Sequence, residues 1–247
     1  MPGAPAKPPE ANYYPDGASK ADIERWIQSL PEAERTKATG FFTVIRRSGN
    51  SFAAVPYNVE YQADLARAAG LLREAAALAT EPTLKAFLTK RADALLSNDY
   101  YDSDVAWMDL DAPIDVTIGP YETYEDELFG YKAAFEAYVT MRDDAETAKL
   151  KKFSQYLQEL EDNLPIDPKY RNPKLGAASP IRVVNEVFAS GEGNSGVQTA
   201  AFNLPNDERV VKEKGSKRIM HQIVDGRHPN IRSHVVLNRN QRARVCS

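Results

Sequence analysis

Two apolar stripes of helical period, separated by a three-residue break, lie between residues 58 and 97. Tyr61, Leu65, Ala68, Ala69, Leu72, Ala76 and Ala79 recur at intervals that place them on one face of an α-helix. Thr80-Glu81-Pro82 interrupts the stripe, and Leu84, Phe87, Leu88 and Leu95 resume it. Proline is favoured in a first helical turn, where its missing N–H has no intrahelical partner to lose, so Pro82 marks a start. So short a connection makes the two helices antiparallel neighbours, each covering the other's apolar face. Any fold for the chain is built around that hairpin.

Smaller signals surround it. Ser19 is an N-cap candidate ahead of Ile23, Trp26, Ile27 and Leu30, which stand at helical spacing before Pro31. Phe41-Phe42-Thr43-Val44-Ile45 is β-prone, and Ser48-Gly49-Asn50 suits a turn leading to a second strand over 52–55. Ile114 to Ile118 reads as a short strand that Gly119-Pro120 ends. Leu128, Tyr131, Ala134, Phe135, Tyr138 and Val139 predict a helix over 123–142, and Leu150, Phe153, Leu157 and Leu160 another over 146–162. Prolines 165, 168, 173 and 180 mark an extended loop, and strands are expected over 181–188 and 200–204, with a flexible loop between them over 190–196. The expected fold class is α+β, mainly helical, with strands confined to 41–55, 114–118 and 181–204. Residues 1–18 read as a flexible, Pro- and Gly-rich lead-in, 19–220 as the body and 221–247 as a tail.

Charge separates that tail from the rest. The net charge is -4, yet residues 215–247 hold seven basic residues and one acid, against 24 basic and 34 acidic residues in 1–214. An acidic body argues against non-specific nucleic-acid binding. No apolar run is long enough for a membrane span or a signal-peptide core, and Cys246 is the one cysteine. A cytoplasmic, disulfide-free protein is therefore expected. His221, His228 and His234 stand seven and six residues apart, unlike the His-Glu-x-x-His spacing that puts two imidazoles on one helix face. A disordered or aberrant basic tail is the plainer reading. Residues 99–127 carry ten acids and no Lys or Arg, interleaved with Tyr100, Tyr101, Trp107, Tyr121 and Tyr124. Such a segment suits either a packed loop with helix-capping acids or a grip on a cationic group. Asn203-Leu204-Pro205-Asn206 is a polar turn whose amides both donate and accept, as recognition of a peptide backbone or a simple Asx turn requires. No nucleophile elbow is present, and Gly191-x-Gly193 is too lean for a dinucleotide fingerprint.

Three runs together resemble the dipeptidyl-peptidase III-like metallopeptidases, especially the bacterial and plant branch, some members of which carry a Nudix domain. They are Tyr100 to Leu110; Ile118-Gly119-Pro120-Tyr121-Glu122-Thr123-Tyr124-Glu125-Asp126 with Gly130 to Glu136 after it; and Phe202 to Glu208 with Gly215-Ser216-Lys217-Arg218 after it. The resemblance covers about residues 12–220 and includes no Nudix box. It implies a two-lobed zinc exopeptidase that removes dipeptides from the N-terminus of short peptides, with the peptide extended along a strand edge. It also implies roles for three residues. Asp115 stands where the family holds an acid at the peptide's amino end, an Asp in place of a Glu, and Asn203 and Asn206 match asparagines that hold the N-terminal part of the peptide. Glu122 and Tyr124 are assigned to structure. The family's zinc helix lies downstream of the Asn-Leu-Pro-Asn turn and has no counterpart here, so no zinc is expected on this chain and catalysis by it alone is not expected. Short peptides are the expected partners. The alternative is a non-enzymatic peptide-binding or scaffold protein of the same descent.

Overall fold

The computed structural model of the chain describes residues 11–173, 181–191 and 200–221. Helix α1 (Lys20–Ser29) opens on a capping box, in which the Ser19 hydroxyl accepts from the Asp22 N–H and the Asp22 carboxylate accepts from the Ser19 N–H. Pro31 separates it from α2 (Glu32–Ala38). Strands β1 (Thr43–Ser48) and β2 (Ser51–Pro56) form the expected hairpin, with Gly49 at φ +58° in its turn. After the single turn α3 (Tyr57–Glu60) come the two long helices, α4 (Gln62–Leu78) and α5 (Pro82–Ser97). Leu65, Ala69, Leu72 and Ala76 of α4 and Leu84, Phe87, Leu88 and Leu95 of α5 are all buried. Within the expected lead-in, Tyr13 and Tyr14 are buried as well, and the Tyr14 hydroxyl donates to Asp126 at 2.7 Å.

Helix α6 (Tyr101–Met108) occupies the first part of the acidic-aromatic run and buries Trp107. Strands β3 (Ile114–Glu122) and β4 (Ala134–Arg142) pair antiparallel, followed by α7 (Asp144–Ser154) and α8 (Leu157–Asp162). Strand β5 (Ile181–Gly191), strand β6 (Ala201–Leu204), helix α9 (Glu208–Lys214) and strand β7 (Lys217–His221) complete the described chain. The sheet runs β3-β4-β5-β7-β6, with β5 and β7 parallel and every other pair antiparallel. It is strongly curled: Tyr138 of β4 stacks on Phe202 of β6 at 5.5 Å although two strands lie between them, whereas in a flat sheet three strand spacings amount to roughly 14 Å.

The helix expected over 123–142 is not formed. Its second half is strand β4, and residues 123–133 are a loop organised by one carboxylate. Asp126, buried, accepts the backbone N–H groups of Leu128, Phe129, Tyr131 and Lys132, and Gly130 at φ +70° lets the chain double back. The buried face of β4 carries Glu136, Tyr138 and Thr140, while Phe135, Ala137 and Val139 on the other face are half-buried. Polar residues on the covered face hid the two-residue alternation, and the apolar ones fell by chance at helical intervals. Strand β3 also runs through Gly119-Pro120 to Glu122. A Cβ at Gly119 would stand 2.8 Å from Nη1 of buried Arg91, so the glycine here lets the strand pass a guanidinium. Strand β7 crosses the composition break, and His221 is its last residue, with its ring edge-on to Tyr138 and Phe202. Residues 222–247 and most of the loop expected at 190–196 lie outside the described residues.

Candidate functional site

Curling gives the sheet an inner face, and that face is polar. Asp115, Thr117, Tyr138, Thr140 and Lys217 are buried on it. Asp115 is 2% exposed; it takes an ion pair from Arg182 of β5 at 3.2 Å and faces the Lys217 ammonium at 3.9 Å. Its second carboxylate oxygen, Oδ1, is buried with no hydrogen-bond partner among the described residues. Lys217 donates to the Trp107 carbonyl at 2.5 Å and lies 4.2 Å from the centroid of that indole. Burial pushes the Lys217 ammonium down to about 8, with Asp115 drawing it back up. At the end of β7, His221 Nδ1 meets Glu186 at 3.0 Å.

The Asn turn sits at the other edge. Strand β6 ends the sheet order, so its outer edge has no strand neighbour among the described residues. Asn203 is exposed and pairs in register with Arg218, on the face opposite to Leu204 and Lys217. Asn206 turns back: its Nδ2 donates to the Tyr121 carbonyl at 2.9 Å and ties the end of β6 to the end of β3. Tyr121 is itself held by a buried pair. Arg91 of α5, with no exposure, donates to Asp104 of α6 at 2.6 Å, the Tyr121 hydroxyl donates to the same Asp104 oxygen at 2.6 Å, and a short contact joins Arg91 to that hydroxyl. Burial holds the Tyr121 phenol far above its usual range, so it stays neutral. Beside this network lies a cavity of about 280 Å³, lined by Phe42, Asn98, Tyr100, Tyr121, Asn206 and Arg209 among others.

The three residues singled out from the sequence thus fall in two places. Asn203 and Asn206 flank one turn, while Asp115 stands on the inner face opposite Lys217, the register partner of Leu204. The Arg91–Asp104–Tyr121 network was not anticipated. Its one sequence signal is an arginine at an otherwise apolar position of α5, between Leu88 and Leu95.

The model of Peptidase family M49 matches residues 9–243. The chain belongs to peptidase family M49. Among solved structures, this M49 chain is similar to dipeptidyl-peptidase III from Corallococcus sp. strain EGB, with 64% identity and a TM-score of 0.77 over 89% of this chain and 41% of that one. It is similar also to DPP III from Caldithrix abyssi, with 53% identity and a TM-score of 0.83 over 90% of this chain and 42% of that one. Arabidopsis thaliana Nudix hydrolase 3 is 44% identical over 235 residues, which are 87% of this chain and 30% of the plant protein. The M49 chain therefore spans less than half the length of each of these relatives. The M49 match extends past residue 220, where the resemblance read from the motifs stops.

Among the described residues, no three His, Cys, Asp or Glu side chains are grouped to hold a metal ion, and no helix is long and apolar enough to cross a membrane.

Proposed function

We propose that the chain is the N-terminal, substrate-holding portion of a dipeptidyl-peptidase III-type zinc enzyme, and that it grips the first residues of short peptides in the cytoplasm. The observation that carries this reading is the exposed Asn203 on the open edge of β6. An extended peptide adding to that edge exchanges backbone hydrogen bonds with β6, and the Asn203 amide donates to a peptide carbonyl while accepting from a peptide N–H. Asp115, buried on the inner face against Arg182 and Lys217, is assigned no contact with a peptide bound at that edge. Asn206 holds the turn through Tyr121 and leaves its own carbonyl for the peptide. Peptide-bond cleavage then depends on a metal-bearing segment that the described residues do not contain.

The test grafts residues 9–243 in place of the matched region of the Corallococcus enzyme and measures dipeptide release from a free and an N-acetylated pentapeptide. Release from the free peptide alone is expected. Equal cleavage of both, or none of either, overturns the reading. The second reading is a non-enzymatic peptide-binding or scaffold protein of the same descent. It is favoured if the intact chain binds the free peptide while the graft releases nothing.

A further inference from the structure

Strand β3 carries one residue more than its partner near its end. Pro120 pairs with Phe135 and Glu122 with Ala134, so Tyr121 has no register partner on β4. Such a bulge releases a residue from the ladder and re-aims its side chain. The Tyr121 hydroxyl donates to Asp104 of α6 at 2.6 Å, and Asp104 is paired with Arg91 of α5, so two helices hold the ring. The Arg91 guanidinium also lies 5.2 Å from the centroid of that ring. The Tyr121 carbonyl accepts from Asn206 Nδ2 at 2.9 Å, the one hydrogen bond of that amide among the described residues. Asn206 also borders the cavity of about 280 Å³, where no side chain presses on it. The terminal torsion of an asparagine is broad, so the bond to Tyr121 decides which way the amide faces.

We propose that Tyr121, locked by the buried Arg91–Asp104 pair, is a positioning residue for peptide binding: it fixes the Asn206 amide so that the amide carbonyl faces a peptide on the open edge of β6. This rests on the peptide-holding reading of the Asn turn. A buried ion pair is seldom the most stable filling for its volume, because apolar side chains of similar size often do as well or better. What the pair adds here is direction. A group that orients a ligand must itself be held by residues whose rotamers are locked by packing and hydrogen bonds. Arg91, Asp104 and Tyr121 are all buried, and the pair presents a fixed acceptor to the Tyr121 hydroxyl. The order of support runs from α5 and α6, through the bulge of β3, to the turn that follows β6.

The experiment places Tyr121→Phe in the Corallococcus graft and compares it with Tyr14→Phe, which deletes another buried hydroxyl that donates to a carboxylate, that of Asp126 at 2.7 Å. Tyr121→Phe should raise KM for the free pentapeptide roughly three- to tenfold at unchanged kcat, the equivalent of one neutral hydrogen bond to the peptide. Tyr14→Phe should leave KM unchanged, whatever it does to the melting temperature. In an Asn206→Ala background Tyr121→Phe should raise KM no further, because it acts through that amide. A second measurement uses the intact chain alone. The side-chain amide resonance of Asn206, identified by its loss in Asn206→Ala, should move in Tyr121→Phe and stay in place in Tyr14→Phe. An unchanged KM in Tyr121→Phe, equal KM effects of the two Tyr→Phe variants, additivity with Asn206→Ala, or an unmoved resonance overturns the inference and leaves the peptide-holding reading standing. An unsubstituted graft that releases no dipeptide overturns that reading, and this inference with it.

Discussion

Arg91 brings a positive charge into a site with no exposure, and three features make that tolerable: the Asp104 carboxylate, the Tyr121 hydroxyl, and rings of Phe87, Tyr100 and Tyr121 with centroids 5.2–5.4 Å from the guanidinium. Removing one member of a buried pair leaves the other charge uncompensated. Asp104→Ala should therefore cost about 3–5 kcal/mol, read from the urea midpoint at unchanged slope, while Arg91→Met combined with Asp104→Leu should cost far less than the two singles summed. A single-mutant loss under about 1 kcal/mol would mean that the pair is not closed to water. The two asparagines separate by the same kind of argument. Asn203 is exposed, so Asn203→Ala should leave the melting temperature alone and lower dipeptide-release efficiency of the grafted enzyme about tenfold, equivalent to about 1.4 kcal/mol. Asn206 carries a structural bond to Tyr121, so Asn206→Ala should also lose about 0.5–1.5 kcal/mol of stability. Normal efficiency in both folded variants would make the turn purely structural.

At the scale of elements, the 123–133 loop is fastened to the N-terminal helices by Lys132. Its buried ammonium donates to the Ala38 carbonyl at 2.6 Å, the Gly40 carbonyl at 3.0 Å and the Thr43 hydroxyl at 2.8 Å, which together tie the loop ahead of β4 to the end of α2 and the start of β1. Burial pushes this group down from 10.5 to about 7, against the pull of Asp126. Between those two values the unfolded chain holds a proton that the folded one has released. Stability therefore rises with pH across about 7 to 10.5 through this group, and its contribution is least favourable below 7. Lys132→Met should be destabilised by about 1–3 kcal/mol through the orphaned carbonyls. The gap between wild type and variant should widen as pH rises from 7 to 10, measured by urea titration at each pH. A gap that narrows would show that the folded state keeps the ammonium charged. Strand β4 also shows what periodicity misses: its covered face is Glu136, Tyr138 and Thr140, so hydropathy points to the wrong face. The Asp126 loop carried a fairer signal, an Asp followed four residues later by Gly130, which suits an Asx turn closing on a left-handed residue.

For the whole molecule, the dialysed chain purified without a His tag should hold substoichiometric zinc by mass spectrometry. One equivalent retained would place a metal centre outside the described residues. What the sequence determined by itself was local. The α4–α5 hairpin, the Ser19 N-cap, the β1–β2 turn and β6 follow from apolar spacing and from backbone groups that neighbours a few residues away must satisfy. Three long motifs were enough to bring the M49 family into view. Tertiary structure decided the rest. The order β3-β4-β5-β7-β6 places the last described strand inside the sheet, and no local pattern encodes that insertion. The curl that sets Tyr138 on Phe202, the placement of Asp115 opposite Lys217 and the seating of Arg91 beneath Gly119 each join residues 28 to 102 positions apart in the chain. Such contacts are chosen by global packing and by the need to pair every buried charge, and a strand whose inner face is polar gains its identity only when the neighbouring strands arrive.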